Sequence, residues 1–404
     1  MDGQLKRLII AGLAWGLSWG LLWSVLAPYL RGLGYSGSQY GLVGSTAVLS
    51  SAVFTLLGGS LSDRYGSRSV LVASSVIGAL ALLLVSTGRT YLVASGFFLN
   101  GMASGLGFVA QQALLARTGR DEELHYTYSY VSAASTLGGG VGSFLGWLPV
   151  LAHRYRDLPL LEAYRYSIVA SSLILLLTIP VILGLRERIT IGEKRGYSLL
   201  GAARRFTRSF YLIAVINMVI GFGAAMSIHN IDYYFTAKYG VTSAELGSVF
   251  GLQELAMASL MIAMPRIADR AGGVLRVYLA VSYASIPLLI AMTLVDDFPV
   301  AAAIYLVRSV LMNVANPLFT AFVMRLVPVE LRGTASAFLS LSWTIPAGGG
   351  RAVGGWLLDI DLELPLRLTA VLYTVALTVL AAVFRGEVGS GSEESRAMVT
   401  PGPA

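Results

Sequence analysis

The chain has 404 residues, of which 55% are hydrophobic and only 13% are charged. Charged residues make up about a quarter of a typical soluble domain, so this composition excludes a soluble globular protein. The net charge of +7 is spread over short loops and forms no single patch, which argues against nucleic acid as a partner.

Cysteine is absent, which excludes disulfide bonds, thiolate metal sites and a thiol nucleophile. His125, His153 and His229 are widely separated along the chain, so no metal site is expected. The loops are too short for a catalytic domain, and the phosphate-binding pattern Gly-x-x-x-x-Gly-Lys-Ser/Thr does not occur. We therefore expect neither an enzyme nor an ATP-driven pump, and no cofactor.

Long apolar runs recur along the chain, each long enough to cross about 30 Å of hydrocarbon as an α-helix. The runs are continuous and not alternating, which disfavours barrel strands. We predict an all-α membrane protein with twelve transmembrane helices. The spans are Leu8–Leu30, Tyr40–Leu61, Val70–Thr87, Leu92–Leu115, Tyr126–Leu151, Tyr166–Leu185, Phe210–Phe235, Ser243–Ile267, Leu275–Val295, Val300–Val327, Thr334–Leu358 and Leu366–Phe384.

A polar segment rich in Arg, Lys and Glu separates the sixth span from the seventh and divides the spans into two sets of six. We expect an N-terminal six-helix bundle over residues 1–185, a cytoplasmic linker over residues 186–208 and a C-terminal six-helix bundle over residues 209–386. Residues 387–404 are rich in Gly, Ser, Glu and Pro and are expected to form a disordered cytoplasmic tail.

The orientation follows from the basic residues of the short loops. Arg and Lys are about three times as frequent on the side of the amino terminus as on the other side, which places both termini in the cytoplasm. The apolar run after Met1–Leu8 is too long for a cleaved signal peptide, so we expect a retained first helix. The protein is expected to be integral to the plasma (cytoplasmic) membrane.

The two halves carry related sequences. The charged segment Gly59–Leu71 lies between the second and third spans, where we expect a short loop, and Ile267–Gly273 is a weaker copy between the eighth and ninth spans. Three residues of the first copy match three of the second at one constant offset, namely Asp63, Arg64 and Gly66 with Asp269, Arg270 and Gly272. A glycine triplet at residues 138–140 also aligns with one at residues 348–350. A duplicated six-helix unit is a known plan of transporters, with the solute held near the midplane.

The segment Gly59-x-Leu61-Ser62-Asp63-Arg64-Tyr65-Gly66 fits the motif G-x-L-a-D-R-x-G-R-K, and with it the chain resembles the major facilitator superfamily. Ser67 departs from the motif and leaves Arg68 as the basic residue. The resemblance implies two pseudo-symmetric bundles and a latch in which Asp63 meets the N-terminal end of the eleventh helix, near Gly333–Ala335. The gating residues it implies are Gly59, Asp63, Arg64, Gly66, Arg68, Asp269 and Arg270.

Two further family patterns are only partly present. The fifth span resembles the antiporter signature in Gly138-x-x-x-Gly142-Ser143-x-x-Gly146-Trp147, although Ser143 replaces the usual Pro and Trp147 the last Gly. Phe97 stands where drug/proton antiporters of the family carry an Arg in the fourth helix. These two observations point in opposite directions on proton-driven export.

Four charged residues lie inside the predicted spans and at least three residues from either end, and a charge at the centre of a span costs about 2.5–3.5 kcal/mol on insertion scales. They are Glu254, Asp232, Arg308 and Arg351. One interpretation is proton coupling, in which Glu254 near the midplane is titrated and a neighbouring arginine holds it ionised. The other is a fixed set of salt bridges within the C-terminal bundle.

Aromatic and amide side chains are candidates for the substrate site. Trp15, Trp19 and Trp23 share one side of the first helix and could stack on a substrate ring or cation, although core filling or lipid anchoring explains them equally well. The polar candidates are Asn100 and Gln111 in the fourth span, Asn217 in the seventh and Asn313 in the tenth. Hydrogen bonding between helices is the alternative role of these amides.

We interpret the chain as a secondary active transporter that works by alternating access, through proton-coupled efflux of small, partly apolar compounds. The alternatives are an importer or facilitator of a small polar solute, such as a sugar or an organic or inorganic anion, and a non-transporting membrane sensor. The expected partners are a small-molecule substrate, protons and the lipid bilayer, and the chain is expected to be a monomer.

Overall fold

A computed structural model describes residues 3–118, 124–185, 187, 206–270, 274–314, 316–328 and 331–384. Its regular elements in this part of the chain are helices. In chain order they are α1 (Gly3–Gly32), α2 (Gly37–Tyr65), α3 (Ser67–Ser86), α4 (Thr90–Thr118), α5 (Leu124–Phe144), α6 (Trp147–Arg156), α7 (Leu160–Leu183), α8 (Arg208–Ser227), a 3₁₀ turn (Ile228–Asn230), α9 (Ile231–Tyr239), α10 (Ser243–Arg270), α11 (Val274–Thr293), α12 (Phe298–Asn313), α13 (Asn316–Arg325), α14 (Arg332–Ile360) and α15 (Leu364–Val383).

The prediction of an all-α membrane protein is confirmed. Within the described residues, eight helical stretches are long and apolar enough to cross a membrane. They are Gly3–Gly32, Gly37–Tyr65, Ser67–Ser86, Thr90–Leu115, Leu160–Leu183, Arg208–Tyr239, Val274–Thr293 and Leu364–Val383. The total of twelve spans stays a prediction. Most of the predicted linker and all of the predicted tail at residues 387–404 lie outside the described residues.

The chain forms two compact units, each built from separate segments. The first unit contains Met1–Lys194, His229–Leu255 and Gly348–Leu362, and the second contains Arg195–Ile228, Ala256–Ala347 and Glu363–Ala404. The first unit therefore includes residues from both of the predicted six-helix halves. The division into halves stays a prediction.

Three predicted spans are interrupted. The seventh is divided into α8 and α9 by the 3₁₀ turn Ile228–Asn230, and the fifth is divided between α5 and α6. The tenth is divided between α12 and α13, where Pro317 lacks the N–H that a continuous helix would donate to the Asn313 carbonyl. Interrupted helices expose backbone polar groups within a membrane protein and often accompany a solute site.

The motif between the second and third spans differs from its expected form. We predicted a loop over Gly59–Leu71, but α2 continues to Tyr65 and α3 begins at Ser67. The turn is therefore the single residue Gly66, with φ +85°, a conformation that glycine adopts without steric cost. The carboxylate of Glu187 accepts the backbone N–H groups of Ser67 (2.8 Å) and Arg68 (3.0 Å) and so satisfies the start of α3.

Glycines allow α1 and α5 to approach at backbone distance. A Cβ atom added to Gly138 would overlap the Leu13 carbonyl oxygen, and one added to Gly16 would overlap that of Ser135. Small residues at such positions are typical of membrane helices, because they bring two backbones into van der Waals contact. The first glycine of the triplet at residues 138–140 thus lies in a close helix–helix contact.

Gly138→Ala is expected to destabilise the protein, whereas Gly139→Ala is its matched control in the same helix. A Cβ on Gly139 would meet its nearest neighbour, the Gly16 carbonyl oxygen, at 4.0 Å. Overpacking costs about 1–3 kcal/mol, so thermal melting in detergent should occur several degrees lower for the first variant only. Equal melting temperatures for the two variants would contradict the assigned contact.

Candidate functional site

Four side chains of the first unit form a group that we call the charge cluster, namely the partly buried Trp23 and the buried Tyr40, Asp232 and Arg351. They come from α1, α2, the first turn of α9 and α14. Asp232 is 2% exposed and Arg351 is 4% exposed. The structure thus brings together two of the four predicted charged residues and one of the predicted tryptophans, while their roles stay predictions.

The Asp232 carboxylate accepts two hydrogen bonds. The Tyr40 hydroxyl donates to Oδ2, and the backbone N–H of Tyr233 donates to Oδ1 at 2.8 Å. The Tyr40 and Tyr233 rings stack with centroids 5.1 Å apart. Tyr40 is fully buried, so its hydroxyl is a donor that water does not compete for, and hydrogen bonds to ionised groups are the stronger kind.

The Arg351 guanidinium is held by aromatic rings. Its Cζ lies 5.6 Å from the Trp23 ring and 5.6 Å from the Tyr40 ring, within the range of cation–π attraction. It also interacts electrostatically with Asp232. Its Nε and Nη2 atoms are buried and have no hydrogen-bond partner within the described part of the chain.

Glycine makes room for this arginine. A Cβ on Gly44 of α2 would overlap the Nε atom of Arg351, so any larger residue there would displace the guanidinium. The Asn230 side-chain amide donates to the Arg351 carbonyl oxygen at 3.2 Å and connects the 3₁₀ turn to α14. Arg351 is therefore contacted by α2 at its guanidinium and by the 3₁₀ turn at its backbone.

The other two charged candidates lie elsewhere. Glu254 on α10 is partly buried beside α5, where a Cβ on Gly140 would lie 3.8 Å from the Glu254 Cβ. Arg308 on α12 belongs to the second unit and is 1% exposed. Its Cζ lies 5.7 Å from the Tyr373 ring, and its Nε and Nη2 have no hydrogen-bond partner among the described residues.

The tryptophans of α1 form a ladder. The ring centroids of Trp15 and Trp19 are 5.7 Å apart, and those of Trp19 and Trp23 are 6.0 Å apart. Trp15 is 43% exposed on the protein surface, whereas Trp23 contacts the charge cluster. The ladder thus runs from an accessible ring to the buried Arg351.

The four polar candidates have different surroundings. Asn100 borders a narrow, mostly apolar cavity, and Gln111 is partly buried on the same helix. Asn217 donates to the Leu339 carbonyl (3.0 Å) and the Ser342 hydroxyl (2.9 Å), which joins α8 to α14 within the second unit. The Asn313 amide donates to the Ser309 carbonyl at 2.8 Å. The side chains that line the cavity with Asn100 are Leu22, Leu26, Leu82, Val85 and Phe97.

The motif residues of the first copy lie at the end of α2 and the start of α3. Asp63 and Arg64 are exposed, and the Arg64 Cζ lies 5.3 Å from the Tyr65 ring. Arg68, the basic residue of the motif, donates from Nη1 to the Leu185 carbonyl at 3.1 Å. It thereby binds the end of the sixth predicted span. Gly59 lies in α2. Asp269 and Arg270 lie on α10, and their side chains lie outside the described part of the structure.

The sequence did not point to Tyr40 or Asn230 as members of the site. Tyr40 opens the second predicted span and there has the pattern of an interfacial aromatic residue, and Asn230 is one amide among several. Their partners are 192 and 121 positions away in the chain. The sequence offered one signal for this site. The Tyr40 phenol and the Asn230 amide are polar groups inside or at the border of spans that carry few such groups.

Long apolar helices around a buried acid–arginine pair are typical of polytopic membrane transport proteins. The family description "Major Facilitator Superfamily" matches residues 8–351 and 213–397. The chain belongs to the Major Facilitator Superfamily, whose transporters bind small molecules within the membrane.

Relatives with known names agree with this family. An MFS-type transporter of Methanocaldococcus jannaschii is 23% identical over 345 residues, which cover 83% of this chain and 86% of the relative. Quinolone resistance protein NorA of Staphylococcus aureus is 25% identical over 126 residues, or 30% of this chain and 32% of NorA. The chain therefore matches about a third of the length of NorA.

Solved structures share the fold at low sequence identity. The nucleoside transporter NupG superposes with a TM-score of 0.73 at 14% identity, covering 95% of this chain and all of NupG. A bacterial homologue of the human lysosomal transporter Spinster, in an inward-facing and occupied conformation, gives a TM-score of 0.73 at 12% identity and covers 95% of this chain and 97% of its own.

Tyr40→Phe is expected to destabilise the protein by about 1–3 kcal/mol, since a buried carboxylate loses a donor while the ring beside Arg351 is kept. In an Asp232→Asn background the same change should cost less, because a hydrogen bond to a neutral amide is weaker. Thermal melting of the four proteins of this cycle measures the coupling.

Tyr29→Phe is the matched control for this cycle. The buried Tyr29 hydroxyl donates to the neutral Ser86 carbonyl at 2.6 Å, so its loss should cost the same with and without Asp232→Asn. Additive effects of Tyr40→Phe and Asp232→Asn, to within about 0.5 kcal/mol, would show that Tyr40 and Asp232 are not coupled.

Proposed function

We propose that the protein is a secondary active transporter that couples proton movement to the efflux of small, partly apolar compounds by alternating access. The observation that carries this proposal is the charge cluster. An ionisable carboxylate buried at 2% exposure beside a permanently charged arginine is costly to keep inside a membrane protein, and such residues usually serve transport.

Proton coupling is proposed because the charge cluster joins residues of both predicted halves of the chain. Tyr40 and Trp23 belong to the predicted N-terminal half, whereas Asp232 and Arg351 belong to the predicted C-terminal half. Ionised Asp232 accepts the Tyr40 hydrogen bond and attracts Arg351, and a proton on this carboxylate weakens both interactions. Proton binding would thereby change the contact between the halves and favour the opposite conformation.

The proposed substrate class rests on the tryptophan ladder of α1. Indole faces bind apolar rings and cations, and the ladder leads toward the buried cluster. The partial match to a quinolone resistance protein supports export as the direction. We place the protein in the cytoplasmic membrane with both termini in the cytoplasm.

Asp232→Asn is expected to lose accumulation driven by a pH gradient and to retain exchange of unlabelled for labelled substrate, since the amide keeps the shape and cannot release a proton. The measurement uses purified protein in liposomes with an imposed pH gradient and a quinolone as the probe. Glu162→Gln, which removes an exposed acid at the start of α7, is the control and should accumulate the probe normally.

The same assay tests Glu254 as the predicted midplane acid. Loss of accumulation in Glu254→Gln with normal behaviour of Asp232→Asn would move the coupling site to Glu254. Normal pumping by both variants would overturn proton coupling through either acid.

A second candidate function is transport of an organic anion. The Arg308 guanidinium is 1% exposed, and its Nε and Nη2 have no hydrogen-bond partner among the described residues. A buried cation with unsatisfied donors is unfavourable, and an anionic solute would supply acceptors and neutralise its charge. The human organic anion transporter MFSD10 shares the fold with a TM-score of 0.60 at 17% identity, covering 94% of this chain and all of that chain.

If the substrate is an anion, Arg308→Ala should abolish binding of an aromatic carboxylate while sparing binding of a neutral nucleoside, because only the carboxylate needs the positive charge. Arg308→Lys keeps the charge and should retain part of the binding. Binding is measured with labelled solutes on the purified protein. Unchanged carboxylate binding by Arg308→Ala would exclude this role.

A further inference from the structure

The end of α14 is joined to the beginning of α2 by one carboxylate. Asp359 accepts the backbone N–H of Gly37 at 2.6 Å, the backbone N–H of Ser38 at 2.9 Å and the Ser38 hydroxyl. These residues are more than 320 positions apart and lie in the same unit. Asp359 is exposed and follows the predicted span Thr334–Leu358 directly.

This contact completes the N-terminus of α2. The first backbone N–H groups of a helix have no partner within the helix. Ser36 accepts the N–H of Gln39 in a capping box, and Asp359 accepts those of Gly37 and Ser38. Burial alone would raise the pKa of Asp359, but the hydrogen bonds from Ser38 and Gly37 outweigh it and lower the pKa, so the carboxylate is ionised at neutral pH.

The contact continues along both helices in antiparallel order. A Cβ on Gly37 would lie 2.6 Å from the Gly355 carbonyl oxygen, and one on Gly41 would lie 2.6 Å from the Arg351 carbonyl oxygen. The Ser45 hydroxyl donates to the Gly348 carbonyl at 2.7 Å. Asp359 is thus the charged end of a tightly packed interface.

We propose that Asp359 is a gating residue, which holds α2 and α14 together at the end predicted to face away from the cytoplasm and must release α2 before the solute site opens to that side. The proposal rests on the alternating access proposed above. It concerns the end of this helix pair opposite Asp63, for which the family resemblance implies a latch on the cytoplasmic side.

The test uses the absence of cysteine from the chain. A single cysteine at Ser45, which is 7% exposed, reports separation of α2 from α14 through its reaction with a membrane-impermeant thiol reagent. The reagent is added to each side of oriented vesicles in turn. In the protein that is otherwise unchanged, the cysteine should react slowly from the side away from the cytoplasm.

Asp359→Asn in this background should raise the labelling rate from that side about tenfold, because charge-assisted hydrogen bonds are replaced by weaker neutral ones. Ser38→Ala removes one of the three hydrogen bonds and should give a smaller increase. Asp361→Asn removes an acid two residues further on and should leave the rate unchanged. An unchanged rate in Asp359→Asn would overturn the proposal.

Local unfolding is distinguished by a second reporter. Ser171 is fully buried in α7, where its carbonyl accepts a hydrogen bond from Ser18 of α1 at 2.9 Å. A cysteine at Ser171 should stay protected in Asp359→Asn, and its exposure together with Ser45 would mean that the carboxylate is structural. The labelling needs neither substrate nor a pH gradient, so it tests the gate independently of proton coupling. Failure of the gate and failure of proton coupling are therefore distinguished.

Discussion

The close approach of α2 and α14 in the first unit is the constraint on which the buried charges depend. At Gly37, Gly41 and Gly44 the space of a side chain is taken by the backbone or the arginine of the facing helix. Because the helices touch at backbone distance, Arg351 reaches the Tyr40 ring and Asp359 reaches the first N–H groups of α2. A larger residue at any of the three glycines would remove the geometry that places these charges.

The two buried arginines differ in how their positive charges are balanced. Arg351 lies between two aromatic rings and interacts with the Asp232 carboxylate, so its charge is balanced within the first unit. Arg308 contacts the Tyr373 ring in the second unit. Aromatic attraction of about 2 kcal/mol for a desolvated pair is smaller than the penalty of several kcal/mol for burying an ion. This difference is why an anionic solute remains a candidate partner of Arg308.

Much of the fold was predictable, because span length and continuous hydrophobicity are local properties of the sequence. The pairing of Asp232 with Arg351 was also within reach, since charges in an apolar span need partners nearby. The role of Tyr40 was not predictable, because its partner Asp232 lies 192 positions away in the chain. The loop predicted at Gly59–Leu71 was wrong in extent, since one glycine at φ +85° replaces several loop residues. Asp359 was overlooked because an acid after a span has the pattern of an ordinary surface residue.

The C-terminal end of α2 is joined to α3 by one residue, Gly66, and Glu187 caps the start of α3. Arg68 and Glu187 bind α3 to the segment that follows α7, so the end of α2, the start of α3 and the end of α7 lie close together. With 29 residues at 1.5 Å per residue, α2 is a rod about 43 Å long. A tilt of about 10° around this end of α2 would move the far end of such a rod by about 7 Å. A small rotation of α2 at the motif would therefore become, at the far end of the helix, a displacement as wide as a small solute.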